Sequence, residues 1–219
     1  MTGGRGGSRM DAMRISAVIF DLDGTLTRPV LDFGRIRAEI GVPEGALLDG
    51  IEAMSESARA AAFAVLHRYE DEAAGTSELH PGTEAVLARL REQRRRLGLA
   101  TSNRRVSVET VCSRHGLSFD AIVTREDGPV KPDAFPVLAV CERLGVTPGE
   151  VVYVGDYLFD MQCARAAGAR AVLMASHQEW RTFCGEADHV IHEPGELLEL
   201  IAQWENGDVA ERRADAANE

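Results

Sequence analysis

Lysine is nearly missing from this 219-residue chain: of its 24 lysines and arginines only one, Lys131, is lysine. Chemistry that needs an amine therefore has one candidate. Aromatic residues make up 5% of the chain, so Val, Leu, Ile and Ala have to fill any core. Cysteine is scarce too. Cys112, Cys141, Cys163 and Cys184 lie at least 21 residues apart, which excludes a CxxC pair, a zinc knuckle or a redox motif and leaves buried thiols as the reading. Positive charge is outweighed, with a formal net charge of -11 and a pI near 5.1. That balance excludes a general nucleic-acid binder, which needs basic surface to neutralise phosphates. No apolar run approaches the roughly 20 residues of a membrane helix. No charged-then-apolar leader opens the chain, so the expectation is a cytoplasmic protein with no membrane partner.

Short β-branched runs alternate with longer amphipathic stretches. Strands are predicted at 15–20, 97–101, 121–124, 151–154 and 171–174, with a weak one at 189–191. Helices are predicted at 83–95, 106–115, 133–144, 159–167 and 195–204. Strands that read as continuous apolar runs argue for a parallel sheet covered on both faces, an α/β fold. Residues 28–79 break the rhythm: they hold no good strand, and 51–72 is helical in composition and rich in Ala. This is a helical insertion after the first strand, small enough to act as a lid. Residues 1–13, with four glycines at positions 3 to 7, and residues 205–219 read as disordered tails. The expected organisation is a core of 14–27 and 80–204 with 28–79 inserted.

Four places carry candidate chemistry. The run Phe20-Asp21-Leu22-Asp23-Gly24-Thr25 puts two carboxylates at the end of a buried strand, at the sheet edge where open α/β folds place ligands. Two residues apart on extended chain, they share a face. Like charges that close persist with a cation beside them or with one carboxylate protonated, and either condition suits a nucleophile next to an acid or base. Thr101-Ser102-Asn103 ends the second strand; hydroxyls and free N–H groups there can cradle phosphoryl oxygens, or equally cap a helix. Lys131-Pro132 follows a loop and precedes a helix, and its ammonium could neutralise both a phosphoryl group and a carboxylate. Gly155-Asp156 follows the strand 151–154, where Asp156 is placed to ligate a hard cation such as Mg²⁺. Asp160 lies one helical turn on, in a supporting position.

In their order, Asp21-x-Asp23-Gly24-Thr25, Thr101, Lys131 and Asp156 with Asp160 resemble the motifs of the haloacid dehalogenase superfamily, over residues 14 to 200 or so. The phosphoglycolate-phosphatase-like branch, with a small helical cap after the first strand, looks nearest. The resemblance implies a Rossmann-like doubly wound parallel sheet capped by residues 28–79. It implies a Mg²⁺-dependent phosphatase of a small phosphorylated metabolite, working as a monomer or dimer. By the same resemblance Asp21 is the nucleophile that becomes an aspartyl-phosphate. Asp23 is the acid and base, Thr101 and Lys131 bind the phosphoryl group with Ser102 and Asn103 beside them, and Asp21, Asp23 and Asp156 hold the metal. Asp23 speaks against dehalogenation, which has no leaving alcohol to protonate, and the lack of lysine in 28–79 excludes phosphonate hydrolysis through a cap imine.

Two alternatives share these residues. A phosphomutase differs only in where the phosphoryl group goes. A receiver-type signalling module also combines acids, a hydroxyl and a lysine, but its phosphorylated Asp is not followed by DGT. Elsewhere, Arg94-Arg95-Arg96 reads as a solvated helix end, and Trp180 and Trp204 as packing anchors. His189-x-x-His192 reads as filler with a faint metal-ligand flavour. Arg28, Asp32, Arg104 and Arg105 are candidates for substrate contact, and His80-Pro81-Gly82 for a return hinge.

Overall fold

Apolar runs that are buried on both faces pair side by side. In the computed structural model, which describes residues 14–43 and 45–207, six strands form one sheet: β1 (Ala17–Phe20), β2 (Arg96–Ala100), β3 (Ala121–Val123), β4 (Val151–Gly155), β5 (Arg170–Met174) and β6 (His189–Ile191). Every pairing is parallel and the order is β3-β2-β1-β4-β5-β6. This is the doubly wound Rossmann-like order, whose connections run away from β1 in both directions and open a crevice at the carboxyl ends of β1 and β4.

Alternate residues of each strand feed opposite layers. Val18, Phe20, Leu97, Leu99, Val152 and Val154 face α4 (Thr83–Glu92), α5 (Arg105–His115) and α9 (Glu196–Asn206). Ala17, Ile19, Val151, Tyr153, Ala171 and Leu173 face α6 (Phe135–Leu144) and α7 (Leu158–Ala167). Between β1 and α4 lie three further helices, α1 (Phe33–Ile40), α2 (Leu47–Glu52) and α3 (Glu56–Thr76), sharing a small core of Ile36, Val42, Leu47, Ile51, Ala62 and Leu66. The chain leaves and re-enters the sheet side by side. Thr27 and Leu79 form an antiparallel bridge, Arg28 N donates to Glu78 O at 2.8 Å, and His80 N donates to Leu26 O at 2.9 Å. No helix among the described residues is long and apolar enough to cross a membrane.

Several boundaries differ from the sequence reading. The Ala-rich stretch 51–72 is two helices, split at Ala53–Ser55. Helix α4 ends at Glu92 because Arg94 turns into the left-handed region (φ 59°) and Arg95 swings inward. Arg95 is therefore no solvated helix end: it is mostly buried and pairs with Glu205 at 2.8 Å. Glu205 also accepts from Ile15 N at 3.1 Å, so α9 continues to Asn206 and residues 205–206 belong to the fold rather than to a tail. The tails 1–13 and 208–219 lie outside the described residues. A short helix, α8 (Trp180–Phe183), was not foreseen.

Gly98 shows how closely sheet and helix approach. A Cβ there would lie 2.4 Å from Val140 Cγ1 on α6 and 3.1 Å from Ile19 Cγ1, so only glycine lets α6 seat at that depth. Gly98→Ala is expected to cost about 1–3 kcal/mol through overpacking, read as a lowered urea midpoint. Adding Val140→Ala should recover part of that loss; a double variant no better than the sum of the two singles would contradict the contact.

Candidate active site

The crevice between β1 and β4 gathers side chains from four strand ends. Asp21 follows β1 directly, its backbone N–H bonded to Val154 O at 2.9 Å. Gly24 then turns with φ +78°, and a Cβ on it would sit 2.1 Å from Asp156 Oδ2. Glycine here meets two needs at once, the left-handed turn and the close approach of the carboxylate that follows β4.

Lys131 reaches in from the loop before α6, with a cis peptide to Pro132. Its Nζ lies 2.7 Å from Asp21 Oδ1 and 2.6 Å from Asp160 Oδ1, and all three side chains are buried. Toward Asp160 it donates a hydrogen bond. Toward Asp21 the contact is an ion pair without aligned hydrogen-bond geometry, which leaves Oδ1 short of a bonded donor. Asp160 is fully engaged: Oδ1 also accepts from Tyr153 Oη at 2.8 Å, and Oδ2 accepts from Tyr157 N at 3.1 Å at the start of α7. It therefore positions Lys131. Asp21, Asp156 and Asp160 each bring a carboxylate oxygen within 4.8 Å of the others.

The second carboxylate is held from the other side. Asn103 Nδ2 donates to Asp23 Oδ2 at 2.7 Å, and Asn103 N donates to Thr101 Oγ1 at 3.2 Å. Thr101 and Asn103 are buried, while Ser102 is half-buried and engages Arg125 only through its carbonyl, at 3.5 Å. Thr101, Asn103, Asp23, Asp21, Lys131, Asp156 and Asp160 are thus brought to one crevice. Other candidates go elsewhere. Asp32 caps α1 by accepting from Arg35 N at 2.9 Å, Arg105 pairs with Asp127 at 2.7 Å, and His192 packs edge-on against Trp180. His80 accompanies the return of the chain, its Nε2 3.2 Å from Gly24 O.

Three participants escaped the sequence reading. Tyr153 looked like one more apolar strand residue, yet its hydroxyl ties Asp160 to Ala100 O (3.1 Å). Ser176 donates to Gly24 O at 2.5 Å and lies 3.5 Å from Asp156; its place just beyond β5, at the same sheet edge, was the available signal. Glu70 on α3 is buried and pairs with Arg104 (3.0 Å) and with both terminal nitrogens of Arg125. Nothing in an Ala-rich helix marked it.

Electrostatically the crevice holds four carboxylates against one ammonium. Burial and the neighbouring Asp160 push Asp21 up to about 6, although Lys131 pulls the other way. Burial, Asp21 and Glu70 push Asp23 up to about 7. Burial, Asp160 and Asp21 push Asp156 well above the carboxylate range. Burial alone would push the Lys131 ammonium down, but Asp160 and Asp21 together outweigh it and hold the lysine charged. A hard divalent cation fits this set. Its carboxylates are buried and crowded, Asp21 Oδ1 lacks an aligned donor, and the donors are all oxygen.

A cleft of about 760 Å³ opens beside Lys131, between α2 and α3 on one side and the loop 125–133 on the other. It is large enough for a small metabolite.

A model of the haloacid dehalogenase-like hydrolase family matches residues 35–174. The chain is 29% identical over 223 residues to an N-acetylmuramic acid 6-phosphate phosphatase of Pseudomonas aeruginosa, covering 88% of this chain and 97% of that protein. It is also 29% identical over 220 residues to a phosphoglycolate phosphatase of Chromobacterium violaceum, covering 88% and 99%. Its fold superposes on the β-phosphoglucomutase of Clostridium difficile with a TM-score of 0.70 at 20% identity, covering 89% of this chain and 98% of that one.

The raised carboxylates make a signed prediction. A folded-state value above the unfolded one means the native state holds extra protons, so the contribution of these groups to stability is full near pH 4 and is lost as pH rises through about 6 to 7. In chelator the Tm should therefore drop between pH 5 and pH 8, and Mg²⁺ should raise Tm more at pH 8 than at pH 5. An equal Mg²⁺ increment at both would contradict cation binding by these groups.

Proposed function

Because the chain belongs to the haloacid dehalogenase-like hydrolase family, we propose that it is a Mg²⁺-dependent phosphatase that hydrolyses a small phosphomonoester through an aspartyl-phosphate on Asp21. The observation that carries this reading is the shared ammonium. Lys131 stands between Asp21 and Asp160, so the buried Asp21 carboxylate is held in the crevice beside a cation that a phosphoryl group can also use.

The residues divide the work by position. Asp21 Oδ attacks phosphorus as the bond to the leaving alcohol oxygen breaks. Asp23, pushed up to about 7, carries the proton that the leaving oxygen needs, and lies in the range where acid and base roles are both open. It then takes a proton from water as that water attacks phosphorus and frees Asp21 and inorganic phosphate. Asn103 fixes the direction of the Asp23 carboxylate. Lys131 and the Thr101-Ser102-Asn103 segment, with its hydroxyls and amides, face the phosphoryl oxygens. Positioning and positive charge supply most of the rate in phosphoryl transfer.

Asp21, Asp156 and the Asp23 carbonyl would hold Mg²⁺, which supplies charge neutralisation between a carboxylate nucleophile and a phosphate dianion. Asp160, saturated by Lys131, Tyr153 and Tyr157, orients the lysine. The three helices over the crevice, residues 28–79, act in this reading as a cap that shapes the leaving-group side.

Phosphate release from a panel of phosphomonoesters, with and without Mg²⁺, tests the proposal. Asp21→Asn should abolish turnover; full activity in that variant, or metal-independent turnover, would overturn it. Transfer to a second sugar hydroxyl in place of release into water would make the protein a mutase. Asp23→Asn should slow alkyl phosphate cleavage by about 10²–10⁴-fold and p-nitrophenyl phosphate cleavage by much less. Equal slowing of both would remove the acid role.

A further inference from the structure

We infer that the cleft selects against phosphomonoesters whose leaving alcohol carries a second anion, and that Glu70 sets this selectivity by engaging Arg125. The inference deepens the proposed phosphatase reading and rests on it. Two cations line the cleft, Arg125 and Lys131, and neither is available to a second anionic group. Lys131 lies between Asp21 and Asp160 and serves the reacting centre. Arg125 directs both terminal nitrogens at the buried Glu70 carboxylate, Nη2 at 3.1 Å from Oε2, with Phe63 at 5.9 Å from its guanidinium carbon. Arg104 is consumed in the same way, by Glu70 and Asp71.

The remaining charges on the lining are negative: Asp49 and Glu52 from α2, and Asp133 from the facing loop. Glu52 is paired with Arg59 at 3.2 Å. Asp49 is exposed, and Asp133 accepts only from the Phe135 backbone at 2.7 Å; neither has a cation partner among the described residues. A carboxylate or second phosphate in the leaving group would meet these acids with no cation to answer it, and like-charge juxtaposition of that kind is an effective means of rejecting a ligand. A polyhydroxylated or amine-bearing alcohol meets acceptors it can donate to. The substrate class assigned is therefore a phosphomonoester of a neutral polyol or amino alcohol.

Matched pairs differing only at the far end read this out. Glucitol 6-phosphate ends in a hydroxymethyl where 6-phosphogluconate ends in a carboxylate, and 2-hydroxyethyl phosphate stands in the same relation to phosphoglycolate. With Mg²⁺ present, kcat/KM should favour the neutral member of each pair by about tenfold or more. Glu70→Gln, which weakens the hold on Arg125, should shrink that ratio, and Asp49→Lys, a change at an exposed site, should shrink it independently. Each ratio comes from one protein preparation, so a partly folded variant does not distort it. Equal or faster cleavage of the carboxylates by the native protein, or ratios untouched by both substitutions, would overturn the inference while leaving the phosphatase reading intact. No release from any of the four esters or from p-nitrophenyl phosphate would overturn both.

Discussion

One buried ammonium holds the crevice together. Four carboxylates meet where β1 and β4 end, and Lys131 is the positive charge that opposes their mutual repulsion. The parts of the fold nearest the crevice serve that meeting. Gly24 removes the Cβ that would collide with Asp156, α7 begins so that its first turn brings Asp160 under the lysine, and the Tyr153 hydroxyl braces Asp160 from within the sheet. Asp21 and Asp156 follow directly on β1 and β4 and Asp160 lies in α7, so only Lys131 comes from a loop.

The sheet was legible because its physics is local. A strand buried on both faces has to be apolar at every position, so 97–101 or 151–154 can be recognised without knowing their neighbours. Even the weak run at 189–191 proved to be the edge strand β6. What failed were the ends decided by distant partners. Helix α4 stops at Glu92 because Arg95 is drawn to Glu205, 110 residues away, and no local propensity encodes that. The same pairing makes an ordered helix end of residues that composition alone assigned to a tail. Asp32, weighed as a substrate contact, turned out to be a helix cap, the commoner use of an aspartate before a helical run.

Within the crevice, most residues visible in advance were those whose position after a strand was itself the clue: Asp21, Asp23, Thr101, Asn103 and Asp156, while Lys131 stood out as the one lysine and Asp160 by its spacing from Asp156. Tyr153 and Glu70 were hidden because each is polar at one atom and structural everywhere else. A tyrosine in an apolar strand looks like packing until its hydroxyl is seen to reach Asp160. Glu70 occupies one of many acidic positions along α3, and only the folding of that helix over the loops after β2 and β3 turns it into a buried counter-ion for two arginines. Chemistry carried by the strand ends can be read in one dimension, while a counter-ion such as Glu70, made only where α3 meets the loops after β2 and β3, cannot.

The bridge between Thr27 and Leu79 has an architectural consequence. Because the outgoing and returning chain lie one strand-width apart, the segment between them occupies a slot in the sheet no wider than a hairpin. A segment entered and left at neighbouring positions can change in length without separating the strands it interrupts. The inserted helices and the sheet can then diverge at separate rates, held together by three hydrogen-bonded residues at the seam and by the Glu70 pairs to Arg104 and Arg125.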